Sequence, residues 1–161
     1  MIAILANGMP TLELKVPPPA VALLLAAAMW FASRFGPSLN VPLLARSVAF
    51  GVLAVAGAGL GLAGNLAFRR SRTTANPFQP QQTSSLVTTE VYRFTRNPMY
   101  LGLLVVLLGW AAFLCSAFAL LGPVAYVAYV ARFQIVPEER LLLAKFGAAY
   151  AEYVARVRRW L

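Results

Sequence analysis

Ser47–Phe68 runs for 22 residues without a charge, and Met99–Val136 for 38 residues interrupted only by Arg132. A helix of about 20 residues crosses the roughly 30 Å hydrocarbon layer of a bilayer. The first stretch therefore suits one span, and the second suits two spans joined by a tight turn. A soluble fold has too little polar material to cover such segments: 60% of the 161 residues are hydrophobic and 12% are charged, against roughly a quarter charged in ordinary soluble domains.

The remaining segments complete a helical pattern. Residues 1–16 carry only Glu13 and Lys15, so they lack the basic flank of a cleaved signal peptide. Pro17–Pro19 then open an apolar stretch that predicts a first span over about 18–35. Gly36, Pro37 and Pro42 break the chain before the second span over 47–68, where Gly57 and Gly61 have the spacing that lets a neighbouring helix approach closely. From Arg69 to Asn97 the composition turns polar and predicts a long loop. The 38-residue stretch predicts spans over 98–114 and 117–136, turning at Cys115–Ser116, with Gly122–Pro123 as the competing turn. In 137–161, Leu142, Phe146, Ala149, Tyr153, Val157 and Trp160 recur every three or four residues. That spacing predicts an amphipathic helix lying in the membrane interface. The expected architecture is an all-α polytopic membrane protein, a single domain of four transmembrane helices and a C-terminal amphipathic interfacial helix.

The charges give this bundle a direction. Fourteen cations oppose five Glu, a net +9. Arg69, Arg70, Arg72, Arg93 and Arg96 fall in the loop, and Arg132, Arg140, Lys145, Arg156, Arg158 and Arg159 in the tail, leaving Arg34 and Arg46 for the opposite side. Cations concentrate on the cytoplasmic face, so loop, tail and both termini are expected there, in a bacterial inner membrane. Because these cations flank apolar stretches, they point to lipid headgroups and not to nucleic acid. With no His, the chain has no imidazole base and no His-ligated metal site, and no metal is expected. The lone Cys115 forms no internal disulfide, and its apolar setting marks it as a packing residue.

Two polar constellations abut the membrane on the expected cytoplasmic face. In Tyr92–Gly102, Asn97–Pro98 reads as an N-cap followed by a first-turn proline. A helix N-terminus beside Arg96 also suits a carboxylate or phosphate. Pro137-Glu138-Glu139-Arg140 likewise reads as a helix start. Two adjacent carboxylates beside a span call for a cationic partner, in Arg93, Arg96, Arg140 or a ligand.

Together these elements resemble the isoprenylcysteine carboxyl methyltransferase and phospholipid methyltransferase family of integral membrane enzymes. The resemblance covers about the C-terminal half. It is carried by Leu86-Val87-Thr88, Tyr92, Arg96-Asn97-Pro98-Met99-Tyr100 with Gly102, the hydrophobic hairpin, Pro137-Glu138-Glu139 with Leu142, and Phe146-Gly147 with Tyr150, Tyr153 and Arg156. Asn97 stands where characterised members usually carry His, as in a bacterial-type subgroup, and Glu90-Val91 where the family typically shows Gly-Pro.

The resemblance implies S-adenosylmethionine as cofactor and a lipid-like, membrane-embedded acceptor. It implies catalytic roles for Arg96, Asn97, Tyr100 and Glu139. Cofactor contacts would come from Tyr92, Arg96, Pro98, Tyr100, Gly102, Glu138, Glu139 and Tyr150. Because the Arg96 region suits an anion, the acceptor is expected to be a carboxylate, methylated on oxygen. A phospholipid N-methyltransferase is the alternative, and a sterol-reductase-like membrane reductase or a non-catalytic protein binding lipid or a partner are further ones.

The topology has a direct test. Reporter fusions at residue 40 and at the C-terminus are expected on opposite sides of the membrane; finding both on one side would remove the shared-face arrangement.

Overall fold

The computed structural model describes residues 13–71 and 85–161. The first 12 residues and the middle of the expected 69–97 loop lie outside the described residues. Those described are helical, with one isolated bridge between Ser38 and Ser116. The helices are α1 (Pro18–Ala32), α2 (Leu43–Arg70), α3 (Pro98–Leu114), α4 (Ala117–Phe146) and α5 (Ala148–Arg156). By length and apolarity α2 and α4 are able to cross a membrane; α1 and α3 are shorter apolar helices.

Local chemistry sets most of these ends. Proline opens α1 and α3, where its fixed φ suits the first turn and its missing N–H leaves nothing unsatisfied. α2 closes on Arg69 and Arg70, cations at the negative end of the helix dipole. After α3 the chain reverses through Cys115, which sits in the left-handed region at φ 48°. This turn is pinned to the one after α1: Leu39 N–H donates to the Cys115 carbonyl (2.8 Å) and Ala117 N–H to the Pro37 carbonyl (3.3 Å).

Three helix limits differ from those the sequence predicts, the end of α2 by two residues, at Arg70 and not 68. α1 ends at Ala32, not near 35, and α2 begins at Leu43, ahead of 47. The larger correction concerns Pro137. It does not start a separate amphipathic helix over 137–161: α4 runs through it to Phe146, and the amphipathic helix is Ala148–Arg156, set off by Gly147 at φ 51°. A turn widened to i→i+5 bonding over Ala131–Ile135 makes this possible. The Phe133 carbonyl, four residues before the donor-less proline, accepts Leu14 N–H instead (3.0 Å).

Closest approach is between α2 and α3, whose backbones meet at Gly57 and Gly102. A Cβ on either glycine would lie 2.4 Å from the other's carbonyl oxygen. Gly61 contributes backbone to this contact, but a Cβ there would meet nothing within 4 Å. α1 and α4 bury Val21, Met29, Tyr126 and Val130 in one cluster with Tyr100 and Leu107 of α3. Trp110 reaches across to donate to the Ala26 carbonyl (3.0 Å). The outward faces carry Leu23, Leu24, Phe31, Val48, Val52, Val55 and Leu62 exposed. So large an apolar surface belongs in lipid, not water.

The glycines of α2 are therefore unequal. Gly57→Ala is expected to destabilise the fold by about 1–3 kcal/mol, because the helices must separate. Gly59→Ala, with open space around it, is expected to be neutral or stabilising by up to about 1 kcal/mol. Thermal unfolding in detergent, followed by circular dichroism, checks the contrast.

Candidate functional site

The approach to α3 is held from both sides. Tyr92 lies in a short helical turn, Glu90–Arg93, with its buried ring edge-on to Phe68 of α2 (centroids 5.3 Å apart). Its carbonyl accepts the Tyr153 hydroxyl of α5 at 2.6 Å. Gly64 of α2 leaves room for Met99, Pro98 and the Tyr92 hydroxyl, all within 3.4 Å of where a Cβ would stand. Glu90 takes φ 55° and pairs at the surface with Arg70 (2.9 Å). This is where the resembling family carries Gly-Pro, and a positive φ is what glycine adopts without strain.

From the other side comes the chain beyond α5. The Arg158 carbonyl accepts Arg96 N–H at 3.0 Å. The Arg159 carbonyl accepts both the Asn97 side-chain amide (2.9 Å) and the Thr95 hydroxyl (3.3 Å). Asn97 occupies the N-cap position but its side chain caps nothing. It is turned to the tail, and the Thr95 hydroxyl oxygen accepts Asn97 N–H (3.2 Å).

On this frame two arginines and two glutamates meet. Glu139 pairs with Arg96 (2.9 Å) and takes two bonds from Arg159, from Nε at 3.1 Å and from a terminal nitrogen at 2.6 Å. That forked geometry is the strong form of the pair. Glu138, one residue earlier, accepts the Tyr100 hydroxyl at 2.5 Å and, among the described residues, joins no ion pair. Arg96 Nε is buried without a hydrogen-bond partner. Tyr150 is buried beside Arg96 and packs on Tyr153 (6.2 Å). Burial, reinforced by Glu139, pushes its phenol up to about 12 against the opposing pull of Arg96. Burial likewise raises Tyr92 and Tyr153 above the ordinary phenol range. These three phenols are neutral donors at physiological pH. The hydrogen bonds to Glu139 raise Arg159 further.

Of the residues singled out in the sequence, Tyr92, Arg96, Tyr100, Glu138, Glu139 and Tyr150 gather at this end of the bundle. Pro98 and Gly102 serve helix packing, against Gly64 and Gly57. The cations expected near the acidic pair divide: Arg96 joins Glu139, Arg140 pairs with Glu13 (3.0 Å), and Arg93 lies exposed over the Phe94 ring (4.9 Å). Thr95, Tyr153 and Arg159 were not singled out as site residues. Arg159 sits in a basic run that reads as a lipid contact, and nothing local distinguishes it from Arg158.

The chain's likeness to known proteins follows the same elements. The family model described as phospholipid methyltransferase matches residues 46–149, from the start of α2 into α5. An uncharacterised protein of Haemophilus influenzae is 44% identical over 63 residues, which is 39% of this chain and 100% of that protein. No solved structure matches.

The two adjacent arginines of the tail are expected to differ. Arg159→Ala removes the forked bond and is expected to destabilise the fold by about 1–3 kcal/mol. Exposed Arg158, whose contribution here is its carbonyl, is expected to tolerate Ala within about 0.5 kcal/mol. Denaturant titration of the two variants measures the difference.

Proposed function

The chain belongs to the phospholipid methyltransferase family, and on that premise we propose that it is a membrane enzyme transferring a methyl group from S-adenosylmethionine to a lipid-like acceptor. In this reading α1 to α4 are four spans, both termini are cytoplasmic, and the Arg/Glu cluster faces the cytoplasmic headgroups of a bacterial inner membrane.

The residues present fit the cofactor's charges. Arg96 Nε is a buried donor with no partner, and the first turn of α3 has no side-chain cap over its N–H groups. Together they suit the cofactor carboxylate. The buried Tyr92 and Tyr150 would wall the site. When bound, S-adenosylmethionine supplies a methyl group on a cationic sulfur that is already a good leaving group. The protein's part is then mostly to orient and to exclude water.

One observation bears on the acceptor. The sequence favours a carboxylate because the Arg96 region suits an anion better than an ammonium. Here Arg96 and Arg159 are both engaged by Glu139, while Glu138 lies against a neutral phenol. The carboxylate left for a cation supports an amine headgroup, as the family description does, so the phospholipid N-methyltransferase reading is the one we adopt. Glu138 would hold the ammonium and accept the proton it must lose before attack.

Labelled-methyl transfer into a lipid extract, followed by mild base, tests this reading. An N-methyl group survives the base, whereas a methyl ester releases methanol, which would return the acceptor to a carboxylate. Failure of the purified protein to bind S-adenosylhomocysteine in calorimetry would overturn the methyltransferase reading itself. Glu138→Gln is expected to lower the rate about 10²-fold. Its rate is also expected to climb about tenfold per pH unit below the amine's pKa, because free deprotonated amine must then supply the nucleophile. Wild-type enzyme, with Glu138 as proton acceptor, is expected to have the flatter profile.

A further inference from the structure

The chain from Glu13 to Val16 lies along α4 where its turn is widened, and four hydrogen bonds fasten it there. Glu13, with its side chain 2% exposed, accepts hydrogen bonds from Arg132 (2.8 Å) and Arg140 (3.0 Å) through a single oxygen. Leu14 N–H donates to the Phe133 carbonyl (3.0 Å). The fully buried Gln134 side chain donates to the Val16 carbonyl (2.8 Å). All of these partners fall in or next to Ala131–Ile135, or directly after Glu139. Among the described residues, no hydrogen bond or ion pair joins them to the Arg96–Glu139 cluster.

A widened turn holds one residue more than a regular one, so everything beyond it is rotated by about 100° about the helix axis. The direction in which Glu138 and Glu139 face is thus decided upstream of them. Arg132 and Arg140 report the same register. They are eight residues apart. In a regular helix they would lie about 80° apart around the axis; with one surplus residue between them they fall within about 20°. The second arrangement puts both on one face of the helix, where one carboxylate oxygen bridges them. Such turns are less favourable than regular helix, so this one needs a hold. Burying a carboxylate also costs stability, all the more here because the second Glu13 oxygen has no partner. An apolar residue would meet a purely cohesive need better. Burial alone would raise the Glu13 pKa, yet the hydrogen bonds and charges of Arg132 and Arg140 bring it below its ordinary value, so the bridge is ionic at neutral pH.

We propose that Glu13 is a positioning residue for the site: by bridging Arg132 and Arg140 it holds the widened turn of α4, and through that turn it sets Glu138 against Tyr100 and Glu139 against Arg96. The kinetic part of this proposal rests on the methyltransferase reading; the structural part does not.

The test uses the full chain with Cys115→Ala and spin labels on cysteines replacing the exposed Leu108 of α3 and Leu143 of α4. Glu13→Gln removes the charge and keeps the shape. It is expected to shift or broaden the label-to-label distance and to lower kcat/KM about tenfold or more, because small misplacements of reacting groups are that costly. Deleting Ala131 in the same variant removes the surplus residue, so that a regular helix now gives Glu138 and Glu139 the bearing the widened turn gives them in the wild type, and it is expected to restore both readouts. An unchanged distance in Glu13→Gln, or a deletion that restores neither readout, overturns the proposal. Should Glu13→Gln not fold, Arg140→Gln breaks half of the bridge and is expected to shift the distance in the same sense; no shift overturns the proposal equally. A wild-type protein that does not bind S-adenosylhomocysteine would remove the enzymatic reading, while the spin-label distances would still decide this one.

Discussion

The pairing of Glu139 with Arg96 and Arg159 is the interaction on which this end of the molecule depends. Its three members come from the approach to α3, the lower part of α4 and the chain after α5, stretches with no covalent reason to meet. Two of them are little exposed, Arg96 at 12% and Glu139 at 19% of the side chain. Removing one partner from a pair so shielded strands a charge away from water, a loss of about 3–5 kcal/mol for fully buried pairs and less as exposure grows. The ion pairs thus fix the tail, and the tail's backbone then completes the local structure: the Arg158 and Arg159 carbonyls take the donors of Thr95, Arg96 and Asn97. Because Asn97 is drawn to the tail, the first turn of α3 is left without a side-chain cap. The interaction that closes the site is also what leaves its amide donors to a ligand.

Away from that cluster the fold answers to backbone contact in an apolar setting. Where lipid and not water surrounds the helices, burying side chains between them contributes little, and close approach with good van der Waals fit contributes most. The Gly57–Gly102 contact supplies it between α2 and α3. It places Gly64 opposite Pro98 and Met99, so the same pair of helices sets the height of the site. In hydrocarbon an unsatisfied carbonyl is expensive, which is why Leu14 N–H at Phe133 matters: a proline in the lower part of α4 is tolerated because another segment of the chain supplies the missing donor.

Helical class, the reversal between α3 and α4 and the start of α3 were legible because each is local: an apolar run has a length, and Asn97–Pro98 is a helix-start pattern whatever surrounds it. The course of α4 through Pro137 was not. A proline followed by two acids reads the same whether it begins a helix or follows a widened turn, and the difference lies in Leu14, more than a hundred residues away. A like separation hid Glu13, and Arg159 was hidden by partners 20 and 62 residues away in the chain. Within the site, residue types announced a charge cluster without announcing its pairing. That gap bears on the proposed acceptor: an Arg96 region that suits an anion argues for a carboxylate, whereas an Arg96 held by Glu139, beside a Glu138 that joins no ion pair among the described residues, argues for a cation.

The absence of histidine then takes on a physical meaning. Burial holds the phenols of Tyr92, Tyr150 and Tyr153 neutral far above physiological pH, and the hydrogen bonds to Glu139 raise Arg159 above its ordinary value. Most of the site's pattern of charges and donors is therefore fixed across the neutral range. For methyl transfer from a sulfonium this is sufficient, because the leaving group departs as a neutral thioether and needs no proton. The one proton the proposed chemistry must move belongs to the amine nucleophile, and in that proposal Glu138 would take it. Asn97, in a position where a titrating side chain is usual among resembling enzymes, carries a structural bond to Arg159 instead. In the proposed reading proton transfer would fall to Glu138, while Asn97 serves site closure.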